Sequence, residues 1–213
     1  MNWWIRSLTS SVGKKLMMSI TGLCFIGFLV MHLLGNLTLF GGGDAFNAYA
    51  AKLHSLGVLL VAAEWGLLLF AVVHIVTGLT LFFENWHARP VRYTVKKRAG
   101  GRSIGSATMP YTGLILFTFV AIHLLNFHFV DKSQTAIFQI VSTAFQNPLY
   151  VVIYVAAMIV AAVHVSHGLW SAFQTLGANH PKYMPLIRLI SLVFSIIVGI
   201  GFGSLPIYIS LIS

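Results

Sequence analysis

Charge is what this 213-residue chain has least of: 8% of its residues are charged, against about 25% in soluble domains. Acids are scarcest, four against thirteen Lys and Arg, which leaves a formal net charge of +9. Cysteine occurs once, as Cys24, inside an apolar run. A disulfide framework, a cysteine-ligated iron–sulfur cluster and a C-x-x-C-H haem attachment are therefore excluded. A Gly-rich dinucleotide fingerprint is also missing. What remains is hydrophobic: 58% of residues are apolar and the mean hydropathy is +0.88. That composition belongs to an integral membrane protein rather than to a large globular core. The basic excess does not point to nucleic acid, because Lys and Arg cluster between apolar spans, where lipid headgroups account for them.

Five apolar segments, about 16–40, 57–84, 108–130, 148–176 and 185–211, are each long enough for a helix to cross a bilayer, which takes about 20 residues. The expected fold is all-α and integral to the membrane, a single domain over 1–213 whose helix bundle holds any cofactor. The breaks are Gly41-Gly42-Gly43-Asp44, the basic loop from Asn85 to Ala107, Asp131-Lys132-Ser133, and Gly177-Ala178-Asn179-His180-Pro181. Arg6, Lys14 and Lys15 before a long apolar run resemble a signal peptide. The run continues for about 25 residues without a small-residue cleavage site, so a retained first span is expected. Arg6, Lys14, Lys15, Arg89, Arg92, Lys96, Lys97, Arg98, Arg102, Lys182 and Arg188 fall on one side, and only Lys52 and Lys132 on the other. The positive-inside rule then predicts a cytoplasmic N-terminus and an external C-terminus.

Four histidines lie inside these spans: His32, His74, His123 and His164. A polar ring in hydrocarbon is costly and calls for a function. At about 1.5 Å per residue, His32 and His123 share a level roughly 10–12 Å from the external ends, and His74 and His164 one roughly 15–18 Å from the cytoplasmic ends. Two ligands per level from four helices is the donor set of two stacked b-type haems, each iron between two imidazoles. The spacing is 42 residues from His32 to His74 and 41 from His123 to His164, as in two hairpins that each give one ligand per level. Packing hydrogen bonds or a proton relay could occupy any one of these rings; a match of all four by depth favours the cofactor. Gly22, Gly35, Gly78 and Gly168 lie one to three turns from the histidines, where small residues let a flat macrocycle approach. His167 lies on nearly the same face as His164, and spacing alone does not choose between them. His128 is expected at the interface, and His54, His87 and His180 in loops or at helix ends.

Ser19-Ile20-Thr21-Gly22 with His32 ten residues after the glycine, His74-Ile75-Val76-Thr77-Gly78-Leu79, and His164-Val165-Ser166-His167-Gly168-Leu169-Trp170 are motifs of one kind of protein. With five spans, they resemble the dihaem cytochrome b anchor of bacterial succinate:quinone and quinol:fumarate oxidoreductases, over nearly the whole chain. The resemblance implies His164, followed by Gly168 and Trp170, as the span-four ligand. It also implies His74 with His164 for the cytoplasmic-side haem and His32 with His123 for the other. Further implications are residence in the bacterial inner membrane, a FAD-bearing flavoprotein and an iron–sulfur protein as partners, menaquinone as the quinone, and a dimer of heterotrimers. Some members carry a glutamate two residues before the span-four ligand; Ala162 stands there, so a proton path at that point has no support.

For the quinone expected near the outer haem, the polar candidates are His54, Glu64 and Lys52, with His54 able to exchange a proton near neutral pH. Glu64, inside or at the rim of span two, needs a partner or a proton. Ser19, Lys15 and Arg102 are candidates by type for haem propionates. A similar anchor of another respiratory complex, such as nitrate reductase, would share these features. A histidine-lined transporter fits less well, since the spans hold few acids and no inverted repeat of broken helices.

Overall fold

In the computed structural model, residues 2–88 and 103–212 are described, and all regular structure among them is helical. The eight α-helices are α1 (Trp3–Thr9), α2 (Ser11–Asn36), α3 (Gly42–His54), α4 (Val58–His87), α5 (Ile104–His123), α6 (Ile137–Phe145), α7 (Pro148–Thr175) and α8 (Met184–Ile212). Five helical stretches are long and apolar enough to cross a membrane: Ser11–His54, Val58–His87, Ile104–His128, Pro148–Thr175 and Met184–Ile212. The chain is a multi-pass membrane protein. The basic loop residues Arg89, Arg92, Lys96, Lys97, Arg98 and Arg102 lie outside the described residues.

Local chemistry sets the helix ends. Ser10 accepts a hydrogen bond from the Gly13 amide at 3.0 Å and starts α2, and Ser103 does the same for α5 through the Ser106 amide at 3.1 Å. Asn147 accepts from the Leu149 amide at 2.9 Å, and Pro148 takes the first position of α7, where no amide hydrogen is needed. A Cβ on Gly13 would sit 2.0 Å from the Ser7 carbonyl oxygen, so only glycine permits the tight corner between α1 and α2. Gly42, with φ of +87°, turns the 3₁₀ segment Leu37–Gly41 into α3.

Two connections expected as loops contain helices. α3 and α6 lie across the end of the bundle away from the N-terminus, joined where the Asn47 carboxamide oxygen accepts the Phe138 amide at 3.0 Å and so satisfies an open amide in the first turn of α6. Between them, Asp131 accepts the Ser133 amide at 2.9 Å, a bond that holds the Asp131 carboxyl below its ordinary range. Beneath this lid, Leu39, Phe46, Val141, Phe145, Tyr154, Leu205 and Ile209 form the best-buried core of the molecule. Ile209 is fully buried. Ile209→Ala should therefore destabilise the fold by about 2–4 kcal/mol, read as a lowered midpoint of denaturation in detergent, whereas the exposed Leu211→Ala should have little effect.

Helices α2, α4, α5 and α7 form a ring. α2 packs on α4 and on α7, and α5 packs on α7, while the α4–α5 edge is thin. α8 lies outside the ring along α7, the most extensive interface in the protein. Small residues bring α7 and α8 together: a Cβ on Gly199 would lie 3.0 Å from that of Ala162, and Ser191 and Ser195 are buried with their hydroxyls bonded to their own helix. Ala162 thus faces α8 in a contact with no space for a longer side chain.

Candidate functional site: two histidine pairs within the helix ring

The four span histidines come one from each helix of the ring. His32 and His123 are neighbours, with ring centroids 5.9 Å apart and ring planes at 88°. Phe28 stacks on His32 at 5.0 Å, Phe202 of α8 flanks it at 5.5 Å, and Tyr154 and Phe127 flank His123 at 6.0 and 5.4 Å. The pair lies directly under the α3–α6 lid, because Tyr154 belongs both to this shell and to the lid core. His123 Nδ1 is buried without a hydrogen-bond partner, and His32 Nδ1 has only the Asn36 carboxamide nitrogen, 3.4 Å away.

His74 and His164 form the second level, nearer the N-terminal end. Each is gripped by the neighbouring helix. His74 Nδ1 lies 3.0 Å from the Thr21 hydroxyl of α2, and His164 Nδ1 lies 3.0 Å from the Thr112 hydroxyl of α5. A Cβ on Gly22 would touch His74 Cε1 at 3.4 Å, and one on Gly113 would touch His164 Cε1 at 3.6 Å. Gly78 and Gly168 face methionines of the opposite helix, Met18 and Met109.

These matched contacts expose a repeat. Helix α2 reads Met18-x-x-Thr21-Gly22-Leu23, then His32-Leu33-Leu34; α5 reads Met109-x-x-Thr112-Gly113-Leu114, then His123-Leu124-Leu125. Helices α4 and α7 share Ala71-x-Val73-His74-x-x-x-Gly78-Leu79 and Ala161-x-Val163-His164-x-x-x-Gly168-Leu169. Threonine and histidine are 11 residues apart in both α2 and α5, about three helical turns, so they share a face and lie roughly 16 Å apart along the axis. Each first helix carries one distal histidine and one hydroxyl for the proximal level. The repeat also separates His164 from His167, because the residue equivalent to His167 in α4 is Thr77.

His167 has other surroundings. Its Nδ1 lies 3.4 Å from the Ser103 hydroxyl, its ring meets Trp170 edge-on at 4.8 Å, and a Cβ on Gly105 would come within 2.7 Å of its own Cβ. Arg188 of α8 lies over Trp170 at 4.7 Å. Lys14 and Glu84 form an ion pair that fastens α2 to α4 at the N-terminal end. Ser19 is buried with its hydroxyl given to the Lys15 carbonyl at 2.9 Å, and Arg102 lies outside the described residues.

The three candidates for a quinone group do not share one place. Glu64 faces His128 across the α4–α5 edge, with 4.0 Å between carboxylate and Nδ1. The sequence calls for a partner or a proton at Glu64 and puts His128 at the interface; the partner is His128, delivered by the π-turn Leu124–His128 that ends α5. His54 instead lines an open cleft of about 400 Å³ between α3 and residues 132–137, beside Lys132 and Asn47, and Lys52 points outward from the same helix end. Lys132 also donates to the His128 carbonyl at 2.8 Å.

The histidine pairs have a limited set of chemical uses. Among the described residues, no three or more His, Cys, Asp or Glu converge, so a tetrahedral metal site built by protein alone is not available here. Two imidazoles on opposite sides of one metal, with metal–nitrogen bonds of about 2.0–2.1 Å, have centroids roughly 6.4 Å apart, about half an ångström more than the 5.9 Å between His32 and His123. All four histidine residues also keep part of their surface accessible, although they sit within the ring. No family model, curated protein or solved structure matches this chain.

Proposed function

We propose that this chain is the dihaem cytochrome b membrane anchor of a bacterial succinate dehydrogenase or fumarate reductase. It would serve electron transfer between a membrane quinone, of the menaquinone type, and an iron–sulfur subunit that docks with a flavoprotein. The observation that carries the reading is the placement of four intramembrane histidines, one on each ring helix, with His32 beside His123 and with His74 and His164 each met by a threonine of the neighbouring helix. His32 and His123 would hold one haem, and His74 and His164 the other. Gly22 and Gly113 leave the proximal rings a side free of Cβ atoms, as a flat macrocycle requires.

Bound haem would supply the reversible one-electron transfer. The protein's own part is to hold the ligands, exclude water and set the polarity around each level. The aromatic shell of Phe28, Phe127, Tyr154 and Phe202 keeps the distal level dry. Glu64 and His128 form a proton-accepting pair open to the hydrocarbon edge at the distal end, where a quinol could lose protons as its electrons leave. With neither a nucleotide fingerprint nor a cysteine cluster, the chain leaves dicarboxylate chemistry to its partners. By the positive-inside rule those partners would dock on the cytoplasmic side.

A reduced-minus-oxidised spectrum with pyridine haemochrome quantitation on the protein purified with its partners tests this reading. Two b haems per chain are expected. Haem-free protein would sink the proposal and bring forward a histidine-lined transporter.

A further inference from the structure

A threonine hydroxyl has one proton and two lone pairs, and in a helix it usually gives the proton to a carbonyl one turn back. Both threonines at the proximal level do this. Thr21 donates to the Met17 carbonyl at 2.8 Å, and Thr112 reaches the Thr108 and Met109 carbonyls, both at 3.1 Å. Each hydroxyl proton is thereby committed, so toward the histidine the oxygen can only accept. The ring nitrogen 3.0 Å away must then carry the hydrogen. Thr21 also reaches the Met18 carbonyl, at 3.2 Å. Both proximal imidazoles are thus held as the Nδ1–H form, with the lone pair on Nε2 pointing away from the threonine.

The distal pair has no such arrangement. His123 Nδ1 has no partner, and His32 Nδ1 meets a carboxamide nitrogen whose hydrogen bond goes to the His32 carbonyl at 2.8 Å. Residue 127, equivalent to Asn36 by the repeat, is a phenylalanine. Two hydroxyls therefore distinguish one level of the bundle from the other.

We infer that Thr21 and Thr112 are positioning residues that fix the tautomer of His74 and His164 and lower the reduction potential of the metal centre they hold, with no counterpart at the distal level. The inference rests on the dihaem reading above. A ligand imidazole that donates its other N–H becomes a stronger donor to the metal and favours the oxidised state. Replacing the hydroxyl with a methyl of the same shape removes that push and should raise the potential.

Potentiometric titration of both haems in membranes carrying the full complex tests it. Thr21→Val and Thr112→Val should each shift the reduced-to-oxidised ratio of one haem, the same haem in both, about threefold toward the reduced form. At 59 mV per tenfold for one electron, that is ~30 mV upward. Thr21→Ser and Thr112→Ser, which keep the oxygen, should return the potential toward the original. Thr118→Val, an exposed α5 residue whose hydroxyl bonds only to its own helix, should move neither haem. Loss of one haem in the valine variants with retention in the serine variants also supports the role. Unchanged potentials in the valine variants, or equal shifts or equal haem loss with valine and serine, overturn it while leaving the dihaem reading intact. Absence of haem in the unaltered protein overturns both, and shows before any substitution is made.

Discussion

His32→Ala, His74→Ala, His123→Ala and His164→Ala are each expected to leave one of the two proposed b haems, and His167→Ala to leave both. The effect is large because an axial site offers no substitute: within either pair, removal of one ring leaves a single nitrogen. The outcome also sorts by level. His32→Ala and His123→Ala should lose the same spectral component, since their rings meet edge-on at 5.9 Å, and His74→Ala and His164→Ala should lose the other. His167 separates ligation from general disruption. It is one turn from His164 but is engaged by Ser103 and Trp170, and its Cβ lies against Gly105 of α5. Pyridine haemochrome analysis with low-temperature spectra would check this. Loss of both components in a single variant that stays folded would argue against two separate levels, and haem loss in His167→Ala would reassign the α7 ligand.

Glu64→Gln should slow quinol-dependent haem reduction by about 10²-fold while haem content stays at two, as expected when a general base is removed. The glutamate is half-exposed at the lipid-facing α4–α5 edge and lies 4.0 Å from His128, so a quinol headgroup approaching through the bilayer meets a carboxylate and an imidazole together. His128→Gln should produce a smaller loss, since Glu64 would still accept a proton. The His54 cleft provides the contrast. It opens between α3 and residues 132–137, its histidine Nδ1 lies 2.9 Å from the Ala50 carbonyl, and His54→Gln should leave quinol oxidation near its original rate. Stopped-flow reduction of the haems by a menaquinol analogue reads all three. A strong defect in His54→Gln with normal kinetics in Glu64→Gln would place the headgroup in the cleft instead.

The five spans were legible because lipid demands apolar residues nearly all round a helix, and length alone then separates span from loop. Their ends were less so. α2 begins at Ser11, five residues before the expected start, because Ser10 is a cap and the lysines at 14 and 15 fit the first turns of a helix emerging from the headgroups. α3 and α6 escaped notice since one opens on glycines and both are short; their apolar faces are turned toward the bundle end rather than to lipid. The histidines stood out by cost, a lone ring in hydrocarbon being rare. Thr21 and Thr112 did not, because a threonine in a membrane helix ordinarily satisfies itself on its own backbone. The available signal was the repeated Thr-Gly-Leu placed 11 residues before His-Leu-Leu, visible when α2 and α5 are aligned with each other. Glu64 and His128 are 64 residues apart, and no local pattern could have joined them.

The ring of α2, α4, α5 and α7 resembles a bound book. The α2–α7 contact is its spine, the two hairpins are its covers, and α8 runs along the back of that spine, mainly on α7 and also on α2. The fore-edge is the thin contact between α4 and α5. A planar molecule too broad to pass the α3–α6 lid meets least resistance there, from the lipid side, and once seated it joins the two covers that the chain itself scarcely joins. On the dihaem reading a bound cofactor would also be a fastening, and the empty protein would open first at the edge where Glu64 and His128 stand.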